Sequence, residues 1–294
     1  MPSAAAIGAG VLGLGLLAVV PGAQAAKTSV SYRTGSTQTV TPSDGYDRRG
    51  IEANCRSRSD RALTAGWSGF PLAINAVQFQ QAPERAFKSF STVTWVGTPQ
   101  GTVRTKAGVL CAKGSKLKLR QVTRKGSKAS CGKDYAVGNP FPLNATDPSD
   151  GAARYVSRPS GTHGWVYTYP PTTGADVEVN CVSRKAFSGV RIIREKRTLS
   201  GTSTKITAKC PRTRKVMGWG VDMPNLPANR FDDLTRSFTS ENTLATIEKA
   251  APTSGNRGWS ITVKGADGKP IVEDGLQTKD YLGTTVYAVC GKPR

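Results

Sequence analysis

Residues 206–220 read ITAKCPRTRKVMGWG, a stretch in which one short segment ends at a cysteine and the next ends at a glycine and an aromatic residue. The same arrangement recurs at residues 51–67, IEANCRSRSDRALTAGW, and at residues 127–141, SKASCGKDYAVGNPF. Each copy predicts a β-strand that ends at Cys, a turn, and a second strand that ends at Gly and an aromatic residue. The sequence therefore indicates three copies of one strand unit.

A tryptophan and a cysteine close each copy. The closing pairs are Trp95 and Cys111, Trp165 and Cys181, and Trp259 and Cys290. The residues of the first two pairs are 16 positions apart and those of the third are 31 apart, which indicates an insertion near residues 265–282. The five tryptophans of the chain fall on two positions of the copy, and Phe141 takes the sixth place. We therefore predict three units, at residues 27–111, 112–181 and 182–290.

The composition and the local patterns both favour short strands. The chain has 294 residues, 37% of them apolar, with 32 Gly and 18 Pro, which allows a core but is rich in turns. Residues 116–120 and 165–169 alternate as half-buried strands do, and residues 241–250 are the one candidate helix. Three units can bury their apolar faces against one another, so we expect an all-β fold of three antiparallel pseudo-repeats around one axis, like a β-prism. The expected core residues are Trp67, Trp219 and Phe141.

The first 25 residues have the features of a signal peptide. Residues 4–20 are apolar and uncharged, the Pro-Gly pair at 21–22 ends this run, and residues 23–25 form the small-x-small pattern that signal peptidase accepts. We expect cleavage after Ala25 and a secreted, extracellular protein. The alternative is a membrane anchor, but a spanning helix needs about 20 apolar residues and this run is shorter.

The six cysteines predict three disulfides. They are Cys55, Cys111, Cys131, Cys181, Cys210 and Cys290. No two are spaced as Cys-x-x-Cys, which argues against a zinc ribbon, and an even number in an exported chain indicates disulfides. Because each unit opens and closes with a cysteine-ended strand, the favoured pairing lies within units. The favoured pairs are Cys55–Cys111, Cys131–Cys181 and Cys210–Cys290. The alternative pairs are Cys111–Cys131 and Cys181–Cys210, with Cys55–Cys290 closing a ring.

The third unit carries the most distinct motifs. They are Cys210-Pro211, residues 216–220 (VMGWG), Gly258-Trp259 and residues 287–290 (YAVC). This combination resembles a repeat of secreted actinobacterial proteins, and the three cysteine-paired units are similar to the vitelline membrane outer layer family, a three-sheet β-prism. The resemblance implies an exported β-prism and carries no catalytic residue over to this chain.

The charge of the chain is one-sided. Lys and Arg number 41 against 20 Asp and Glu, a formal charge of +21. Residues 216–294 hold nine of each sign, whereas residues 113–133 hold eight cations and no acid, and residues 184–215 hold eleven cations against Glu195. Because the two basic stretches occupy equivalent places in the repeat, we predict that they form one basic wall. The predicted wall residues are Lys116, Lys118, Arg120, Arg191 and Arg194.

A basic wall on an exported protein favours binding over catalysis. Clustered cations raise the local concentration of polyanions, so we expect an anionic glycan, a wall polymer or a lipid surface as the partner. Nucleic acid ranks below these, because no helix-turn-helix, finger or base-stacking signature accompanies the charge. The single histidine, His163, lies on a Gly-flanked turn without a nucleophile motif nearby, and we predict no catalytic residue, metal or cofactor. The alternative is an extracellular hydrolase or a protease inhibitor whose activity lies in the long loops near residues 225–250 and 265–282.

Overall fold

The protein is an all-β molecule, as the sequence predicts. A computed structural model describes residues 27–40, 47–57, 59–69, 76–78, 89–96, 103–138, 154–168, 176–224, 230–232, 237–239, 245–265, 270–271 and 283–294. Over these residues the chain forms strands and turns, with one 3-10 turn at Ser254–Asn256 and no α-helix. No helix within these ranges is long and apolar enough to cross a membrane. The predicted signal peptide, residues 1–25, and Phe141 lie outside the described residues.

Short strands joined by turns make up the fold. In chain order they are β1 (Ser29–Thr34), β2 (Gln38–Val40), β3 (Asp47–Asn54), β4 (Arg61–Ser68), β5 (Ala76–Gln78), β6 (Ser89–Val96), β7 (Val103–Lys113), β8 (Leu119–Lys125), β9 (Lys128–Ser130), β10 (Tyr135–Ala136), β11 (Arg154–Pro159), β12 (Gly164–Thr168), β13 (Asp176–Val182), β14 (Phe187–Thr198), β15 (Ser203–Lys209), β16 (Lys215–Pro224), β17 (Arg230–Asp232), β18 (Ser237–Thr239), β19 (Ala245–Pro252), β20 (Gly258–Gly265) and β21 (Gly283–Pro293). The pairings between these strands are antiparallel.

The largest sheet joins strands from the two ends of the chain. Its order is β1-β7-β4-β19-β20-β15, and β2 also pairs with β7. The junction is the pairing of β4 with β19, which places Lys249 opposite Ser68 and Ala250 opposite Trp67. Residues that are far apart in the sequence are therefore neighbours across this sheet.

The remaining strands form smaller sheets. A six-stranded sheet has the order β14-β21-β16-β11-β12-β9. Two three-stranded sheets have the orders β10-β13-β8 and β3-β6-β5, and β17 pairs with β18. Strand β14 is therefore an edge strand of the six-stranded sheet, as β15 is of the seven-stranded sheet.

Strands whose side chains alternate between exposed and buried pack aromatic residues into a common core. In β15, for example, exposed and buried side chains alternate, so that one face of the strand packs inward. Trp67, Trp219 and Trp259 are at most 3% exposed. The rings of Trp219 and Trp259 stack with their centroids 5.1 Å apart, and Trp67 lies 5.6 Å from Trp219. The prediction that Trp67 and Trp219 lie in the core is confirmed, and burial of each such side chain contributes at least about 1.5–3 kcal/mol.

Three disulfides cross-link the chain. They join Cys55 to Cys111, Cys131 to Cys181, and Cys210 to Cys290. This is the within-unit pairing that the sequence favours, and the ring alternative is wrong. Each bond closes a long loop, so each contributes roughly 2–4 kcal/mol. Three disulfides indicate an oxidising compartment, which is typical of extracellular proteins.

The predicted helix at residues 241–250 is wrong where the structure describes it, because Ala245–Pro252 is strand β19. The apolar residues Ile247 and Ala250 are three positions apart, which is a helical spacing. A β-bulge between Ile247 and Lys249 shifts the pleat, so both apolar side chains are buried although the segment is extended. Pairing with β4 on one side and β20 on the other favours the strand.

The predicted strand at residues 116–120 begins later than expected, since β8 starts at Leu119. The preceding residues form a turn, in which the amide of Leu117 donates to the carbonyl of Gly114 at 3.1 Å. Leu117 is buried and anchors this turn to the core. The cations that precede Leu119 therefore lie on a turn and not on a strand face.

Candidate functional site

A groove lies where the seven-stranded and six-stranded sheets meet. Outward-facing residues of β15, β20 and β19 form its floor, and edge strand β14 forms one wall. The turn that follows β19, at Thr253 and Ser254, lies at one end. The groove has a volume of about 940 Å³, which is large enough for a segment of a polymer.

The strand register arranges the floor in cross-strand rows. The first row is Lys249, Thr262 and Lys205, and the second is Ala251, Ser260 and Thr207. These side chains face outward because the residues that alternate with them in β15 and β20 are buried, as is Ala250 of β19. In the second row Thr207 donates a hydrogen bond to Ser260, with the hydroxyl oxygens 3.0 Å apart. The floor therefore presents hydroxyl groups between lysines.

Strand β14 contributes two arginines to the wall of this groove. Ile193, Arg194, Glu195 and Arg197 line the groove from this strand. Arg197 Nε lies 3.5 Å from Glu195 Oε1, and these side chains are 59% and 42% exposed, so water screens their attraction. Arg194 has no ion-pair partner within the described ranges.

Cations dominate the groove, and we call it the basic groove. Its charged lining residues are Arg194, Arg197, Lys205, Lys209, Lys249 and Glu195. Its hydroxyl-bearing lining residues are Thr207, Thr253, Ser254, Ser260 and Thr262. The three lysines make no ion pair in the part of the chain that the structure describes. A concave surface of one sign focuses the electrostatic field and raises the local concentration of anions.

The structure divides the predicted basic wall. Of its five members only Arg194 lines the basic groove, while Arg191 lies earlier on the same strand. Lys116 and Lys118 lie on the turn before β8, where the carbonyl of Lys118 accepts a hydrogen bond from the amide of Ser183 at 2.9 Å. Strands β8 and β14 belong to different sheets. The basic groove therefore contains one of the five predicted wall residues.

Arg120 and His163 hold a turn in place. Arg120 Nε donates to Asp134 Oδ2 at 3.1 Å, and its Nη2 donates to the carbonyl of Cys131. His163 is half-buried on a turn, its Nδ1 donates to the carbonyl of Asp134 at 2.7 Å, and its ring stacks on Tyr135. These contacts account for both side chains without a ligand.

Sequence reasoning missed several groove residues, namely Arg197, Lys205, Lys209 and Lys249. The first three lie in the basic stretch 184–215, and the Lys-x-Thr-x-Lys run of β15 is a usable signal, because alternate residues of a strand share a face. Lys249 gave no signal, since it lies in the neutral part of the sequence and within the wrongly predicted helix.

Other functional centres find no support in the described ranges. No three His, Cys, Asp or Glu side chains in these ranges converge as metal ligands would. The segments near residues 225–250 and 265–282, which would carry the alternative hydrolase or inhibitor activity, fall in large part outside the described residues.

Comparison with known proteins adds no relative. A scan against protein-family models finds no match, and a search of the curated proteins finds none either.

Proposed function

We propose that this is a non-enzymatic binding protein whose basic groove holds an anionic polymer, a glycan or a component of a cell surface. The proposal rests on the lining of the groove, which contains five cations and five hydroxyl-bearing residues but one carboxylate. Cations that lack acidic partners attract counterions, and a bound polyanion releases those counterions to solution. The hydroxyl groups both donate and accept hydrogen bonds, so they add contacts that depend on the shape of the ligand.

The lining favours binding over hydrolysis. General acid–base catalysis needs a titratable group that reaches the substrate in the right protonation state. The described lining contains no imidazole or thiol, and its one carboxylate, on Glu195, lies beside Arg197. The groove is thus better suited to hold a charged ligand than to break a bond in it.

We also propose that three pseudo-repeats form a β-prism-like arrangement. The sheets can be divided into two kinds of three-stranded group, and each kind occurs three times, which supports the proposal. Groups of the first kind are β1-β7-β4, β8-β13-β10 and β14-β21-β16. Groups of the second kind, also called triplets here, are β5-β6-β3, β11-β12-β9 and β19-β20-β15. Strands β3, β9 and β15 each end next to the first cysteine of a predicted unit. Both large sheets join a triplet of the first kind to a triplet of the second kind from another predicted unit. Because each large sheet combines strands of two predicted units, each unit can cover the apolar face of its neighbours.

Export is the remaining part of the proposal. The oxidising compartment that the disulfides indicate agrees with the signal peptide predicted at residues 1–25. A secreted protein meets acidic glycans, wall polymers and lipid headgroups, which are the anions that the groove chemistry suits.

A charge-matched pair of variants tests the binding role of the groove. The groove variant carries Lys205→Gln, Lys209→Gln and Lys249→Gln. The control variant carries Lys113→Gln, Lys128→Gln and Lys133→Gln, three lysines that are exposed and lie outside the groove. Binding to immobilised heparin, polyphosphate and anionic vesicles is measured at several salt concentrations.

We expect the groove variant to bind roughly tenfold or more weakly than the parent, because it loses three charged contacts of about 0.5–1 kcal/mol each. Its affinity should also depend less on salt, since fewer counterions are released. Both variants should keep the melting temperature of the parent, because exposed charges contribute little to stability. Equal weakening in the two variants, or no binding of the parent to any of these polyanions, would contradict the proposal.

A further inference from the structure

A line of alternating lysines and hydroxyls extends the floor of the basic groove across the seven-stranded sheet. Its members, from β7 to β15, are Lys106, Ser68, Lys249, Thr262 and Lys205, and we call it the lysine row. Consecutive members lie opposite each other in the pairings of β7 with β4, β4 with β19, β19 with β20, and β20 with β15. The row therefore runs across five strands, and only its last three members line the groove.

The side chains of the three groove members of the row face outward. Residues adjacent to the five row members in the strands are buried, namely Trp67, Ala107, Ala250, Ile261 and Ile206. Because neighbouring residues of a strand point to opposite faces, Lys249, Thr262 and Lys205 lie on the outer surface of the sheet. Ser68 and Lys106 continue the row towards parts of β4 and β7 that are buried on both faces. Lys205 and Lys249 are exposed and the other three members are half-buried. Within the described part of the chain, none of the five side chains has a hydrogen-bond or ion-pair partner.

The sheet fixes the spacing of the charges. Neighbouring strands are about 4.8 Å apart, so lysines on alternate strands are about 10 Å apart at the backbone, and the row spans about 19 Å. A hydroxyl-bearing residue occupies each strand between two lysines. The row thus repeats a cation and a hydroxyl with a period of two strands.

We propose that the lysine row binds an extended acidic polysaccharide in which every second sugar carries an anionic group. The inference rests on the proposed function and names the class of its ligand. The lysines pair with carboxylate or sulfate groups on alternate sugars, at a spacing comparable to the length of a disaccharide. Ser68 and Thr262 hydrogen-bond to hydroxyls of the neutral sugars between them. At the β15 end, Arg194 and Arg197 on the groove wall add charge beside the same chain.

Charge density and side-chain chemistry disfavour nucleic acid as the ligand. Phosphates of a duplex strand follow one another at about 3.4 Å along the axis, so they are much closer together than the lysines. Proteins that bind single strands stack bases on aromatic side chains. Neither the lysine row nor the described lining of the basic groove contains an aromatic residue.

A row of the six-stranded sheet shows a different pattern. On the six-stranded sheet, Lys196 of β14 lies opposite Thr285, which lies opposite Asp222, and Asp222 lies opposite Val156. A carboxylate therefore occupies the place where a second cation would continue the pattern. This row therefore carries one charge of each sign and does not repeat the cation.

The test uses oligosaccharides of defined length in which every second sugar is a uronic acid. Lys106 lies at the far end of the row, outside the groove, so a disaccharide that occupies the groove does not need it. We expect the parent to bind the hexasaccharide more tightly than the disaccharide. The variant Lys106→Gln should weaken hexasaccharide binding by roughly three- to fivefold and leave disaccharide binding unchanged. The control is Lys113→Gln, an exposed lysine on the same strand β7.

Two results would overturn the inference and leave the proposed function standing. One is an equal effect of Lys106→Gln and Lys113→Gln on the hexasaccharide. The other is tighter binding of a single-stranded oligonucleotide, or of a hexasaccharide with an acid on every sugar, than of the alternating hexasaccharide. In both cases the groove variant Lys205→Gln, Lys209→Gln, Lys249→Gln would still lose affinity. If the parent binds none of these ligands and no heparin, both the inference and the proposed function fail.

Discussion

Trp219 and Trp259 are stacked partners that differ in one hydrogen bond. Both are fully buried, and their ring planes are 12° apart. Trp219 Nε1 donates to the carbonyl oxygen of Ala65 at 2.9 Å. Trp259 Nε1 is buried and has no acceptor among the described residues. Replacing each tryptophan with phenylalanine keeps an aromatic ring and removes the indole N–H, so a comparison of the two variants isolates that group.

Apart from the indole hydrogen bond, the interactions lost on substitution are similar in the two variants. Each substitution removes the same kind of apolar surface from the same stack. Among the described residues, Trp219 also contacts Trp67 and Trp259 also contacts Tyr32. Trp219→Phe loses a hydrogen bond worth about 0.5–1.5 kcal/mol, whereas Trp259→Phe removes an unpaired buried donor that costs about 1–3 kcal/mol. The two contributions add, so we expect Trp219→Phe to be less stable than Trp259→Phe by roughly 1.5–4.5 kcal/mol.

Guanidinium unfolding with the disulfides intact measures this difference. Far-UV circular dichroism is the suitable signal, because the substitutions themselves change tryptophan fluorescence. The free energies of unfolding are compared by linear extrapolation, with equal m-values as the check that the unfolded states match. Equal losses, or a larger loss for Trp259→Phe, would refute the reasoning that the unpaired N–H is a cost.

Two further predictions concern a glycine and a tyrosine of the core. Gly138→Ala should destabilise the protein by roughly 1–3 kcal/mol more than Gly201→Ala. The two glycines have φ of +57° and +59°, but a Cβ at Gly138 would lie 2.2 Å from the ring of Trp165, while one at Gly201 meets nothing within 4 Å. Thermal unfolding of both variants measures this, and equal losses would contradict the steric explanation. Burial raises the pKa of the Tyr32 hydroxyl far above its usual value, so the folded state keeps the proton that the unfolded chain releases above about pH 10. Stability should therefore fall as the pH rises past that value, and folded parent and Tyr32→Phe should show the same tyrosinate absorbance up to about pH 11; a difference of one tyrosinate would contradict this.

The disulfide pairing and the core tryptophans could be predicted because they follow from local order in the chain. The first cysteine of each predicted unit directly follows a strand and bonds to a cysteine within the closing strand, as Cys131 bonds to Cys181 of β13. Large aromatics next to glycine, such as Trp219, mark positions where backbones approach closely and the ring fills the core. Neither inference needs the order in which the strands pair.

The groove could not be predicted in full because its residues meet through strand pairings between distant segments. Lys205, Lys249 and Lys106 are brought into one row by the junction of β4 with β19, which no local pattern announces. Lys249 was further hidden by the bulge in β19, which gives its apolar neighbours a helical spacing. The density of charge along the sequence predicts Lys116 as a binding residue, but the structure places it on a turn outside the groove.

Protection of a sheet edge is the strongest competing explanation for the basic residues of β14. This strand lies at the edge of its sheet, and charged side chains on an edge discourage pairing with another molecule. That reasoning accounts for the cations of β14 without any ligand. It does not account for Lys106 and Lys249, because β7 and β19 have pairing partners on both sides. Their charges have no edge to protect, yet they align with Lys205 across the sheet. The interior lysines, and not the arginines of the edge strand, are therefore the residues whose replacement separates ligand binding from edge protection.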